Sequence, residues 1–285
     1  MRGTLARAEK RVIVVVDSVT QLTPDAARAV AVCGSHGGIT AVRFAIETGV
    51  AGVILNDAGI GKDGAGVDGL DYAEAVGMPA AVVDYRTARI GDGRDTLGAG
   101  VISGLNLWAR RAGVEVGQTG SQAARWLASA AEPRLTVVAE TARSHKAAPA
   151  VVDVAARVVA LDSASLIDET MRCWVVVTGS HGGTVGGYAV KYPIRGAIFN
   201  DAGVGRDQAG VGRLAVLDDE GIPAATVSHE SARIGDGLDT YRSGVISHVN
   251  RTAVRAGVRV GHTARSAACA LAQVATHLSR QVVER

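Results

Sequence analysis

Aromatic side chains are scarce: they make up 4% of the 285 residues, with two phenylalanines in the whole chain. A hydrophobic fraction of 47% must therefore fill its cores with Val, Ala, Ile and Leu, the usual content of buried parallel sheets. Long apolar runs are missing as well. The longest, such as VIVVV from Val12 to Val16, have strand length and fall far below the roughly 18 residues of a membrane span, so no membrane partner is expected. The N-terminal MRGTLARAEKR is charged and has no apolar segment, so no cleavable signal is expected. Neither sign of charge prevails: the net +2 rests on scattered Lys and Arg and leaves no nucleic-acid footprint. The three cysteines, Cys33, Cys173 and Cys269, are odd in number, far apart and without Cys-x-x-Cys spacing. They read as buried thiols of a reducing compartment, with the cytoplasm as the expected location.

Several chemical signatures are absent too. There is no phosphate loop with Gly-Lys-Ser/Thr, no dinucleotide fingerprint, no His-x-x-x-His and no nucleophile-elbow serine. No cofactor and no metal are expected, although a metal on His36, Asp57 and Asp92 would suit such an edge.

What the chain does contain is one domain's worth of sequence twice. GSHGG from Gly34 recurs from Gly179, NDAGIGKDGAGV from Asn56 recurs as NDAGVGRDQAGV from Asn200, and ARIGDGRDT from Ala88 recurs as ARIGDGLDT from Ala232, with a period of about 144 residues. Packing alone would keep hydrophobic character and let identities drift. Here helix faces drift while Ser, His, Asn, Asp and Arg stay, which points to a function held in both halves. The division is a first α/β repeat over 1–131, a connecting segment over 132–156 and a second repeat over 157–285. Each repeat is of ordinary domain size.

Within the first copy, Val-rich runs alternate with amphipathic segments. Strands are expected at VIVVV, at AVAVC from Ala29, at AGVIL from Ala51 and at PAAVV from Pro79. ITAVRFAIETG and VDGLDYAEAVG have helical spacing and a terminal Gly stop. A helix is expected from Val101 and another over 121–131. The second copy repeats this order from Val158, with helices from Val245 and Ser266. In the joint, EPRLTVVAE suggests an extra strand and HKAAPA a turn. The fold class is α/β, a tandem duplication of a parallel-sheet βαβ unit with pseudo-two-fold symmetry. Such chains commonly assemble further, so a homo-oligomer is expected.

On this scaffold the shared motifs fall at strand C-termini, where open α/β sheets bind ligands. Asp17 and Ser18 end the first strand, Ser35 and His36 the second, Asn56 and Asp57 the third; Arg89 and Asp92 follow the fourth. The second copy supplies Asp162, Ser163, Ser180, His181, Asn200, Asp201, Arg233 and Asp236. His36 and His181 are candidate acid/base groups, with Asp57, Asp201, Ser35 and Ser180 as catalytic partners. Amides of Gly37, Gly38, Gly182 and Gly183 can approach an oxyanion, and Arg89 and Arg233 suit a carboxylate or phosphate. The remaining strand-end residues are candidate substrate contacts. A purely structural role competes at each position: Asn and Asp make turns and caps, and Arg89 and Arg233 can bridge to Asp92 and Asp236. Asp63 or Asp207 can pair with the cation beside it. Ser103 with Asn106, and Ser247 with Asn250, lie three apart and are expected to share a helix face.

These groups suit an enzyme acting on a small polar or anionic metabolite, with hydrolysis of an amide-type bond as the best fit. A lyase or isomerase using two acid/base sets, and a non-catalytic clamp for a metabolite or phosphate, are the alternatives. A structural interface fits least, since interface cores are poor in charge and rich in aromatics. The copies also differ. Tyr85 becomes His229, Gly104 becomes His248, Gln118 becomes His262 and Lys62 becomes Arg206, so if one half works it is the second.

Overall fold

The computed structural model describes residues 11–130, 149–187 and 189–273. The chain divides into two compact units, Met1–Ala58 with Gly66–Ser144, and Gly59–Ala65 with His145–Arg285. The segment Gly59–Ala65 of the first repeat is thus part of the second unit.

The first unit carries β1 (Ile13–Val16), β2 (Val30–His36), β3 (Gly52–Asn56), β4 (Ala80–Val83) and β5 (Ile102–Leu105) in one sheet, in that order. β1 to β4 run parallel and β5 is antiparallel to β4. The helices are α1 (Ile39–Thr48), α2 (Gly69–Ala75), α3 (Gly93–Gly98), α4 (Leu107–Arg111) and α5 (Gly120–Ser129). Neighbouring parallel strands joined by right-handed crossovers put successive helices on one face, and α1 and α2 indeed pack together. On their side lie Ala31, Cys33, Val53, Leu55, Ala80 and Val82. The opposite side chains, Val30, Val32, Ile54, Ala81 and Val83, meet α4 and α5. Strands covered on both faces need apolar residues at every position, which is why they stand out as continuous Val-rich runs.

The second unit has the same plan. Its sheet has the order β11-β10-β9-β8-β7-β6, from β6 (Ala150–Asp153), β7 (Val158–Leu161), β8 (Val175–His181), β9 (Gly196–Asn200), β10 (Ala224–Val227) and β11 (Ile246–Val249). Its helices are α6 (Arg213–Asp219), α7 (Gly237–Ser243), α8 (Arg251–Arg255) and α9 (Ala264–Ala272). β7 to β10 are parallel, while β6 and β11 are antiparallel to their neighbours. The α/β duplication is therefore present, in mixed rather than wholly parallel sheets.

Other expectations are corrected. The segment from Val101 is not one helix: β5 comes first, then Asn106 caps the short α4. The segment from Val245 behaves likewise, with β11 and then Asn250 capping α8. Ser103 and Ser247 thus sit on strands, and Asn106 and Asn250 share no helix face with them. Their buried amides instead tie strand to helix, Asn106 accepting from Ala80 and Ala109 N–H and donating to the Met78 carbonyl. Nor does the second copy fully repeat the first, because the described residues between β8 and β9 form no counterpart of α1. Gly186 and Gly187 adopt φ of 60° and 83° there and Pro193 follows, so a helix cannot run through. Cys173 is exposed in the turn before β8, while Cys33 is buried, its thiol pushed up by desolvation. The EPRLTVVAE strand and most of the HKAAPA turn lie outside the described residues. Among the described residues, no helix is long and apolar enough to cross a membrane.

Candidate functional site

The carboxyl edge of the first sheet is closed by its own polar residues. β2 carries extra residues between Val32 and His36 where β3 runs from Ile54 to Asn56, and this bulge re-aims Ser35 and His36. Ser35 Oγ accepts the Val19 N–H at 2.9 Å, and Ser18 caps the following turn. His36 Nδ1 accepts the Gly38 N–H at 3.1 Å; burial lowers the imidazole to about 4, so the ring is neutral. Gly37 N–H is spent on the Asn56 carbonyl. Asn56, fully buried, donates to the Ala88 carbonyl and accepts the Ala58 N–H. Asp17 accepts the Gly93 N–H at 3.1 Å, and Asp92 caps α3. The loop after β4 is thereby drawn across the strand ends. Gly34 permits this approach, since a Cβ there would collide with the Asp92 nitrogen and the Asp17 carbonyl. Arg89 bridges Asp95 at 3.3 Å and Asp92 at 3.7 Å.

The second sheet uses the same bonds. Ser180 accepts the Ala164 N–H, Ser163 caps its turn, and His181 Nδ1 accepts the Gly183 N–H at 3.1 Å. Gly182 N–H meets the Asn200 carbonyl. Asn200 spans Ala232 and Ala202, and Asp236 caps α7. Asp162 accepts the Gly237 N–H, yet burial and the nearby Asp236 raise its carboxyl above the usual range. Arg213, where the first copy has Gly69, lies buried over the Phe199 ring and donates to the Gly183 carbonyl at 2.6 Å. Most of the shared polar residues therefore join one loop to another within their own unit.

Divergence begins at the Asp after each Asn. Asp57 accepts the Tyr85 N–H at 2.9 Å and the Ser103 hydroxyl at 2.7 Å. Asp201 accepts the matching His229 N–H at 2.9 Å, and its Oδ1 also meets the His229 ring Nδ1 at 3.1 Å and the Gly203 N–H at 3.1 Å. An ionised carboxylate only accepts, so Nδ1 carries the hydrogen and Nε2 is the nitrogen left for chemistry. Side-chain exposure is 21% for His229 and 5% for Asp201. The bond to Asp201 raises His229 above the usual histidine value, with burial opposing. Burial alone would raise Asp201, but His229, Ser247 and the Gly203 N–H outweigh it and hold the carboxyl low.

Over this imidazole lies the segment Gly59–Ala65. A Cβ on Gly59 would come within 3.0 Å of His229 Cδ2 and 3.1 Å of Nε2, so only glycine lets the backbone reach the ring. Lys62 N–H donates to the His229 carbonyl at 2.8 Å. Lys62 Nζ holds Asp239 at 2.8 and 2.9 Å, and Arg233 meets Asp63 at 3.3 Å. Lys62 thus pairs with Asp239 and not with its sequence neighbour Asp63. The segment is strained, with the non-glycine residues Ile60 and Asp63 at φ of 65° and 55°. Such backbone costs about 1–3 kcal/mol per residue and persists where the surroundings over-determine it, often at functional sites.

Among the sequence candidates, the structure joins Asp201 to the second-copy loop carrying Arg233, but gives its imidazole partnership to His229, not to His181. The signal for His229 was the exchange of Tyr85 for His between the copies. Among the described residues no group of three or more His, Cys, Asp or Glu is placed to hold a metal. Set against known protein families, curated proteins and solved structures, the chain matches none.

Proposed function

We propose that the chain is an enzyme acting on a small polar or anionic metabolite, hydrolysing an amide-type bond with His229 as its acid/base group. The Asp201–His229 pair carries this reading: a half-buried imidazole with one nitrogen fixed by a carboxylate and the other turned toward a strained loop. In the proposed step, Nε2 takes a proton from water as the water oxygen bonds to the acyl carbon. The imidazolium then returns that proton to the nitrogen as the C–N bond breaks. Asp201 keeps the ring in the required tautomer and stabilises the imidazolium, as such carboxylates do. A reaction needing two equivalent acid/base sets has less support, because Tyr85 stands in the first copy where His229 stands in the second.

The test is a screen of small linear and cyclic amides bearing a carboxylate, read for product and for thermal shift. His229→Gln should lower kcat/KM for a turned-over compound by 100-fold or more, on the order of a lost acid/base group. Undiminished turnover in that variant would sink the proposal. A compound that stabilises the wild type yet is never altered would favour the clamp. A cytoplasmic location and a homo-oligomeric state belong to the same proposal, and fractionation and sedimentation check them.

A further inference from the structure

Behind Asp201 the two copies differ at a second point. The antiparallel pairs β4–β5 and β10–β11 each contain a bulge: Val82 faces Gly104 while Val83 faces Ile102, and Thr226 faces His248 while Val227 faces Ile246. The unpaired extra residue is Ser103 in one and Ser247 in the other. Bulges commonly re-aim a side chain, and in the first unit the result is a hydroxyl donated to Asp57 Oδ2 at 2.7 Å. In the second unit the serine has other company. Ser247 Oγ lies 3.1 Å from Thr226 Oγ1, 3.3 Å from the Thr226 carbonyl and 3.1 Å from His248 Nδ1. At the two matching side-chain positions the first copy has Val82 and Gly104, neither of which offers a side-chain hydrogen-bond partner.

A serine hydroxyl has one proton. In the first copy it goes to the aspartate; in the second the hydroxyl donates to the Thr226 carbonyl at 3.3 Å, and Thr226 Oγ1 and His248 Nδ1 lie where each can accept it or donate to the serine. We propose that Ser247 is a positioning residue whose proton is shared between Asp201 and the Thr226–His248 pair, and that this sharing sets how firmly Asp201 holds the His229 imidazole. A hydroxyl donated to a carboxylate draws off negative charge and weakens its hold on a second donor. Diverting it leaves more of that charge for His229. The exchanges Val82 to Thr226, Gly104 to His248 and Tyr85 to His229 then act together: one places an imidazole on the aspartate, and two loosen the serine that would compete with it. This assignment builds on the role given to His229 above, but its structural content stands without turnover.

The experiment is an NMR titration of the His229 ring in the full-length protein, which needs no substrate. Thr226→Val, His248→Ala and the double variant should return the Ser247 proton to Asp201. The His229 midpoint should then fall by about 0.5 pH or more, a modest part of what a hydrogen bond to a charged group supplies. Adding Ser247→Ala to the double variant should bring the midpoint back up, which a merely structural role for Ser247 does not predict. Thr226→Val is nearly isosteric and supplies the first copy's own residue, so it keeps the test open if the double variant fails to fold. An unmoved midpoint in a folded Thr226→Val variant, or no recovery on removing Ser247, would overturn the assignment. Normal turnover in His229→Gln would overturn the catalytic reading instead, leaving the titration result intact.

Discussion

His36 and His229 are both imidazoles at the carboxyl end of a strand, and their surroundings push them in opposite directions. Burial lowers His36 to about 4; the bond to Asp201 raises His229. In the unfolded chain both titrate near 6.5, so their pH effects on stability have opposite signs. The unfolded state binds the His36 proton more readily, so stability falls as pH drops from about 6.5 to about 4, by on the order of 3 kcal/mol. His36→Asn should flatten that acid limb in urea unfolding across this range. The His229 contribution is complete below about 6.5 and is lost as pH rises through its raised folded value. Asp201→Asn should remove this alkaline loss and lower the His229 midpoint, both measurable by NMR and denaturation. Residue identity was legible in the sequence, but its meaning was only partly so. His36 and Asn56 are shared between the copies, and the hydrogen bonds of their side chains run to backbone groups of neighbouring loops. An internal bond and a substrate bond ask for the same residue type, so the repeat alone could not separate them.

At the level of elements, strands buried on both faces and helices ending in glycine were readable, while short pieces were not. β5 spans four residues, Ile102–Leu105, too few for alternation to show before the helical pattern of α4 takes over. The missing counterpart of α1 was written in Gly186, Gly187 and Pro193, but the strong match on either side hid it. The bulges that aim Ser35, His36, Ser103 and Ser247 leave no mark in composition. Gly59 stands at φ of 75° beside the His229 ring, so Gly59→Ala should destabilise by about 1–3 kcal/mol and shift the His229 ring signals. Lys62→Met removes a partly buried ion pair and should cost about 1 kcal/mol, since the pair is still partly screened by solvent; differential scanning calorimetry checks both variants.

At the scale of the whole molecule, duplication supplied two similar edges and later exchanges made them unequal. Tyr85→His should therefore give the first unit an imidazole beside Asp57, seen as an additional histidine signal with a raised midpoint. No such signal would mean that the loop after β4 cannot present a ring as the loop after β10 does. The unequal roles also extend to how the chain is assembled. The ion pair between Lys62 and Asp239 spans 177 positions of sequence, and contacts of such separation are slow to form because a long stretch of chain must be ordered first. The Lys62–Asp239 contact is accordingly expected to form late, which stopped-flow refolding of Lys62→Met would show as an unchanged folding rate and faster unfolding. During synthesis Gly59–Ala65 emerges long before His229 and Asp239, so this one piece of the second unit must wait for its partners until most of that unit has been made.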